Sequence, residues 1–142
     1  MRHIAAASLC LALVSVALVV GSPDRAEAQT ATDQAIVEEA YAWMGTPYGA
    51  YGADCSGFTS QVFAQFGVYL PDDPAAQWGY GVSSTAEAGD LVFYDEHGWG
   101  ISHVGIATGY GTVIHASTYY GAVVETPMYD IPGYVGARDV TY

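Results

Sequence analysis

The pattern of apolar and polar positions divides residues 29–142 into a helical first part and a second part of short strands. Apolar residues recur at helical spacing after Thr30-Ala31-Thr32-Asp33, a segment typical of a capping box, and this pattern stops at Gly45. It predicts a first helix of about three turns. A second helix is predicted to begin after Asp54 and to end at Gly67. Its apolar residues share one face that we expect to be buried: Phe58, Val62, Phe63 and Phe66.

Short runs rich in β-branched and aromatic residues follow Ala88-Gly89-Asp90, after an irregular stretch from Pro71 to Ala88. They predict five strands: Leu91 to Tyr94, His103 to Thr108, Thr112 to Ala116, Ala122 to Thr126 and Tyr134 to Val140. Two helices followed by consecutive strands predict one α+β domain, in which the helices pack on a mostly antiparallel five-stranded sheet.

Residues 1–28 have the pattern of a secretory signal peptide. A basic start precedes an uncharged run from Ile4 to Val20, and Ala26-Glu27-Ala28 has the small-x-small form of a cleavage site. The length of the apolar run leaves an uncleaved N-terminal anchor as the alternative. We expect residues 29–142 to be a single domain that is secreted or lies in the periplasm or cell-wall space, with no stable membrane association after cleavage.

The chain is strongly acidic, with a formal net charge of -12 at pH 7. Nucleic acid is excluded as a partner, because binding to a phosphate backbone depends on clustered Lys and Arg. After removal of residues 1–28, Arg138 is the single Lys or Arg that remains. Binding to an anionic surface must therefore come from a shaped groove and not from charge.

Cys55 is the single cysteine of residues 29–142, because Cys10 lies in the predicted signal peptide. It cannot form a disulfide within this domain. Cys55 follows Asp54 at a predicted helix start, where free backbone N–H groups and the helix dipole favour a thiolate. This position predicts a nucleophile, and a small buried apolar side chain is the alternative.

A base for this thiol is predicted from a hairpin around the three-residue loop Gly109-Tyr110-Gly111. The loop length sets Gly105 opposite His115 and makes His103 a diagonal neighbour of His115 on the same face, about 7 Å away at the backbone. Gly105 and Ala107 are small, and we expect them to leave room for the helix that carries Cys55.

These residues predict a triad in which Cys55 attacks, His103 takes and returns the proton, and His115 orients His103. Two alternatives use the same residues. The histidines could be half-buried sheet residues without a chemical role. The cysteine and the two histidines could also bind zinc, although the spacing of a common zinc motif is absent.

Six segments carry a resemblance to a known family: Gly45 to Tyr48, Asp54 to Phe58, Ala88 to Tyr94, Ser102 to Ile106, Val113 to Ser117 and Tyr134 to Arg138. In this order they resemble the motifs of the NlpC-type cell-wall cysteine peptidases, over nearly all of residues 29–142. The resemblance implies a papain-like NlpC-type fold. It also implies hydrolysis of amide bonds in peptidoglycan stem peptides, typically the bond from D-γ-glutamate to the diamino acid that follows.

The same resemblance implies that Cys55 is the nucleophile, His103 the base and His115 the third polar residue. It further implies four residues of the substrate groove: Tyr48, Asp54, Ser56 and Ser102. We expect no cofactor and no metal, and a domain that acts as a monomer. An N-acetylmuramoyl amidase or a thiol acyltransferase could use the same triad. An inactive wall-binding module that uses the 12 tyrosines as its contact surface is the non-enzymatic alternative.

Overall fold

The computed structural model describes residues 23–142. Its helices are α1 (Pro23–Ala42), α2 (Cys55–Ala64) and α3 (Pro74–Gln77), with a 3-10 turn at Ala50–Gly52. Its strands are β1 (Val82–Ser84), β2 (Leu91–Tyr94), β3 (His103–Ala107), β4 (Thr112–Ser117), β5 (Ala122–Pro127) and β6 (Tyr134–Asp139).

Most of the predicted signal peptide, with its apolar run, lies outside the described residues. Among residues 23–142, no helix combines the length and the apolar character needed to cross a membrane.

The strands form one antiparallel sheet in the order β1-β6-β2-β3-β4-β5. The α+β prediction is confirmed, but the sheet has six strands and the predicted five omitted β1. This strand has only three residues and pairs with β6 at the edge of the sheet. Its side chains are mostly exposed, so the sequence carries no apolar alternation that would have indicated a strand.

Helix α1 begins earlier than predicted, at Pro23, so the predicted capping box lies inside the helix. The hydroxyl of Thr30 donates to the carbonyl of Ala26, and that of Thr32 donates to Ala28. Both contacts run four residues back along the helix, as Thr hydroxyls do in helix interiors. The residues that resembled a cap therefore continue a helix of 20 residues.

Helix α2 begins where the sequence predicted. The carboxylate of Asp54 accepts from the backbone N–H of Gly57 at 2.7 Å, which makes Asp54 the N-cap. The helix buries Phe58, Val62 and Phe63 against one face of the sheet. Seven sheet residues form the other half of this core: Leu91, Phe93, Val104, Ile106, Ile114, Ala116 and Val123.

This packing corrects the role expected for Gly105 and Ala107. Because side chains alternate along a strand, these two residues lie on the face opposite to α2, where Ala107 packs with Val92 and Val113. A Cβ atom at Gly105 would lie 2.9 Å from the Cβ of His115 and 2.6 Å from Cγ2 of Val113. Gly105 thus makes room for its cross-strand neighbours and not for the helix.

The register of the β3–β4 hairpin agrees with the prediction. Ile106 lies opposite Ile114 and Ala107 lies opposite Val113, as the three-residue loop requires. This register brings His103 and His115 to the same face of the sheet.

Candidate active site

Cys55 is the first residue of α2, and the fold holds it against the start of β3. Its Sγ atom lies 3.9 Å from the carbonyl oxygen of Ser102. The backbone N–H of Val104 and that of Ser56 point toward the same sulfur. The thiol therefore contacts the backbone on both sides of His103. Only 9% of Cys55 is exposed.

His103 and His115 are in direct contact. The Nε2 atom of His103 lies 2.8 Å from the Nδ1 atom of His115, and the ring planes are nearly perpendicular, at 87°. Both side chains are buried in the sheet face opposite to α2. A contact this short between ring nitrogens requires one proton between them, so one ring donates and the other accepts.

Thr126 extends this chain of hydrogen bonds beyond the second ring. The Nε2 atom of His115 lies 3.1 Å from Oγ1 of Thr126 on β5. We assign the tautomers so that His115 donates from Nε2 to Thr126 and accepts at Nδ1 from Nε2–H of His103. In this assignment Nδ1 of His103 has no proton, so it is the ring nitrogen that can act as a base.

A carboxylate faces that nitrogen. Oε1 of Glu96, in the loop between β2 and β3, lies 3.9 Å from Nδ1 of His103. A negative charge at this distance stabilises an imidazolium whenever the ring gains a proton.

Burial is the main cause of the shifted pKa values of His103, His115 and Cys55. It lowers the pKa of His103 to about 3, with a contribution from His115, and it lowers the pKa of His115 to about 4. Burial, and next the carboxylate of Asp54, raise the pKa of the Cys55 thiol to about 11. Desolvation and the charge of Asp54 thus oppose the helix dipole, which favours the predicted thiolate. These pKa directions favour a neutral thiol beside neutral imidazoles.

The thiol and the two imidazoles line one cleft of about 1070 Å³. The β2–β3 loop, β4, β5 and the loop after β5 form its other walls. The lining includes the acidic residues Glu96, Glu125 and Asp130, and it contains no Lys or Arg. A peptide can reach the nucleophile, and the cleft disfavours anionic groups.

The structure divides the four predicted groove residues into two pairs. Tyr48 and Ser102 line the cleft. Asp54 caps α2, and neither it nor Ser56 is among the cleft residues. Ser56 is buried, and its hydroxyl donates to Oδ1 of Asp72 at 2.7 Å. This contact ties the first turn of α2 to the loop that precedes α3.

Sequence reasoning missed Glu96 and Thr126. The sequence places Thr126 in a predicted strand, and a β4–β5 register would have made it a diagonal neighbour of His115, since Val124 lies opposite His115. The sequence of the turn between β4 and β5 does not determine how these two strands pair, so this position of Thr126 was not predicted. The position of Glu96 depends on an irregular loop, for which the sequence has no comparable signal.

A zinc site is the alternative role for Cys55, His103 and His115. Across residues 23–142, no group of three or more His, Cys, Asp or Glu side chains has the arrangement needed to hold a metal ion. The hydrogen bond between the ring nitrogens instead uses one nitrogen of each imidazole for the other ring.

Comparison with known proteins identifies the family. The model of the NlpC/P60 family matches residues 38–134, which is more than half of the chain. The chain therefore belongs to the NlpC/P60 family, as the resemblance of its motifs predicted.

A protein of Corynebacterium glutamicum (strain R) named "Probable endopeptidase" is 45% identical over 114 residues, which cover 70% of this chain and 51% of that protein. A Bacillus cereus protein named "Gamma-D-glutamyl-L-lysine dipeptidyl-peptidase" is 35% identical over 107 residues, which cover 69% of this chain and 31% of that protein. The chain thus spans about half of the first relative and less than a third of the second.

Solved structures share the fold. The crystal structure of the NlpC/p60 domain of the peptidoglycan hydrolase SagA superposes with a TM-score of 0.66 at 36% identity, covering 75% of this chain and 97% of that one. The described part of this chain thus corresponds to nearly the whole of that domain.

Proposed function

We propose that residues 29–142 form a secreted peptidoglycan endopeptidase that cleaves the D-γ-glutamyl to diamino acid bond of stem peptides. The observation that carries the proposal is the 2.8 Å contact between His103 and His115, in a cleft that also contains the thiol of Cys55. A nucleophile, a base and a group that orients the base are the parts that a thiol hydrolase needs. The name of the Bacillus cereus relative supports this choice of bond.

The first step is attack on the peptide carbonyl. Nδ1 of His103 takes the thiol proton while Sγ of Cys55 forms a bond to the carbonyl carbon. The backbone N–H of Cys55, the first residue of α2, can stabilise the oxyanion, whereas the N–H of Gly57 is already bonded to Asp54. Proton transfer during attack fits a site whose resting thiol is neutral.

The second step releases the amine. His103, now an imidazolium facing Glu96, gives its proton to the leaving nitrogen as the C–N bond breaks, which leaves a thioester on Cys55. Water then attacks the thioester with His103 again acting as the base. The carboxylic acid product leaves, and the proton returns to the thiol.

Throughout the cycle, His115 and Thr126 keep the base in position. The hydrogen bond from Nε2–H of His103 fixes the tautomer in which Nδ1 is free, and Thr126 fixes the tautomer of His115. Both residues act through His103, so we describe them as positioning residues.

Digestion of purified muropeptides tests the proposal. Wild-type protein and Cys55→Ala are incubated in parallel, and the products are separated and weighed by mass spectrometry. The proposal requires products cut after D-γ-glutamate with wild type and none with the variant. Products cut between sugar and peptide would identify an amidase. Equal hydrolysis by both proteins would contradict a thiol mechanism, and no hydrolysis by either would favour a wall-binding module.

A further inference from the structure

Six exposed aromatic side chains line the cleft or lie within two residues of a residue that lines it. We call this set the aromatic rim: Tyr48, Trp99, Tyr119, Tyr120, Tyr129 and Tyr134. Large apolar side chains that stay in water without packing are informative when they cluster, because such patches mark binding surfaces.

The topology explains why five of these residues lie together, and Tyr129 is joined to them by its ring contact with Tyr134. The β2–β3 loop, the β4–β5 turn and the start of β6 lie at the same end of the antiparallel sheet, because Tyr94 pairs with both His103 and Tyr134 while Ser117 pairs with Ala122. The backbone N–H of Tyr48 donates to the carbonyl of Gly121, which joins its loop to the β4–β5 turn. Ser102 and His103, which line the cleft, also lie at this end of the sheet.

Trp99 is the most exposed member of the rim, at 91%, and its backbone is nevertheless fixed. Oδ1 of Asp95 accepts from the backbone N–H of Gly98 at 2.7 Å and from that of Trp99 at 3.0 Å. The indole also lies against His97, which lines the cleft. The loop therefore presents the indole in water in a prepared position, which lowers the entropy lost on binding.

The tyrosines of the rim occur in two edge-to-face pairs. The rings of Tyr119 and Tyr120 have centroids 4.9 Å apart, and those of Tyr129 and Tyr134 are 5.1 Å apart. Each pair offers ring faces next to phenolic hydroxyls. Such surfaces suit a ligand with flat apolar faces and polar edges.

Charge restricts the nature of that ligand. Three acidic residues and no Lys or Arg line the cleft, so an anionic polymer would be repelled. A pyranose ring is uncharged, has faces of C–H groups that pack on aromatic rings, and has hydroxyls at its edge. The stem peptide of peptidoglycan is attached to a strand of such sugars, so a glycan adjoins the cleft whenever the peptide occupies it.

We propose that the aromatic rim is a binding surface for N-acetylated sugar residues of the glycan strand, adjacent to the peptide that enters the cleft. This inference rests on the proposed function for its choice of polymer. It explains how a domain of net charge -12 binds a wall without using charge.

Binding of an oligosaccharide without any stem peptide tests the rim by itself. Wild type, Trp99→Ala and Tyr119→Ala are titrated calorimetrically with the hexamer of N-acetylglucosamine. Tyr110→Ala is the matched control, because Tyr110 is 89% exposed but lies in the β3–β4 turn at the opposite end of the sheet. We expect affinity to fall about tenfold in each rim variant, as loss of one stacked ring predicts, and to stay unchanged in Tyr110→Ala. No binding by wild type, or equal losses in all three variants, would overturn the proposal.

A kinetic comparison separates this inference from the proposed function. The same variants are assayed on free stem peptide and on the peptide still attached to glycan. The rim predicts lower kcat/KM on the attached substrate alone, and equal losses on both substrates would contradict it. If wild type hydrolyses neither substrate, the proposed function is wrong. The oligosaccharide titration then still shows whether the aromatic rim binds sugar. Trp99-dependent binding to phosphatidylcholine vesicles, without oligosaccharide binding, would assign the rim to a lipid surface instead.

Discussion

Nε2 of His103 lies 2.8 Å from Nδ1 of His115, and this contact sets which nitrogen of His103 can act as a base. With Thr126 assigned as the acceptor of a hydrogen bond from Nε2 of His115, the proton between the rings belongs to His103. Three side chains from three adjacent strands thus determine the tautomer of His103. The nitrogen that acts as a base is therefore free before the substrate binds.

Thr126→Val should lower kcat, because valine keeps the shape of threonine but cannot accept the hydrogen bond from His115. We expect a loss of about tenfold with little change in KM, the size expected when one buried hydrogen bond of about 1.4 kcal/mol is lost. Steady-state kinetics measures the change, and ¹⁵N chemical shifts of the two imidazoles report the tautomers.

Thr112→Val is the matched control, since Oγ1 of Thr112 donates to Glu125 and contacts neither histidine. If the two variants lose equal activity, or if the tautomer of His115 is unchanged in Thr126→Val, Thr126 does not position the base.

The acid limb of kcat/KM should lie below the ordinary imidazole range. A base works only when it is unprotonated, and burial lowers the pKa of His103 to about 3 and that of His115 to about 4. The enzyme should therefore keep most of its activity at pH 5, where an unperturbed histidine is mainly protonated. A pH profile on free stem peptide measures this. A limb near pH 6.5 would show that the histidines are not desolvated in the free protein.

Asp54→Asn should make Cys55 more reactive without loosening α2. Asparagine is as good an N-cap as aspartate, but it removes the negative charge that helps to raise the pKa of Cys55 to about 11. Alkylation by iodoacetamide should become faster at neutral pH in the variant, and the rate in wild type should rise as pH approaches 11. Rapid alkylation of wild type that is independent of pH from 4 to 9 would instead indicate a thiolate paired with an imidazolium.

Local sequence signals predicted those parts of the site whose spacing a single turn or cap determines. Asp54 identified the start of α2 and hence the position of Cys55, and the loop before Thr112 fixed the register that joins His103 to His115. Thr126 was not predicted, because its place beside His115 depends on a second register.

Tertiary contacts account for the elements that were misplaced. Thr30 has the residue type of a cap, but its hydroxyl bonds back into a helix that extends toward the N-terminus. Ser84 lies in β1, a strand that forms by pairing with the edge of β6. Its hydroxyl donates to the carboxylate of Asp90. The apolar residues of the whole sheet determine the face on which α2 packs. The small size of Gly105 does not indicate that face, because it makes room for Val113 and His115.

Asp90 should make stability fall as pH rises. Burial raises the pKa of its carboxyl from 3.8 to about 6, with smaller contributions from Asp139 and Asp33. A raised pKa gives stability that is present below pH 3.8 and is lost as pH increases through 6. The Tm of Asp90→Asn relative to wild type should therefore improve between pH 4 and pH 7.

Comparing the two pH values cancels any change in Tm that the substitution causes independently of pH. Glu38→Gln, at an exposed position on α1, is the control and should show no such change. A difference in Tm between Asp90→Asn and wild type that is the same at both pH values would contradict a buried, charged Asp90.

The central claim is that Cys55 and His103 act as one catalytic unit, and a double-mutant comparison tests it most directly. Hydrolysis of free stem peptide is measured for wild type, Cys55→Ala, His103→Ala and the double variant. Residues that act as a unit are strongly non-additive, so we expect each single variant to lose about 10³-fold or more and the double variant to lose no more than the worse single variant. Losses that multiply in the double variant, or substantial hydrolysis by Cys55→Ala, would contradict the account.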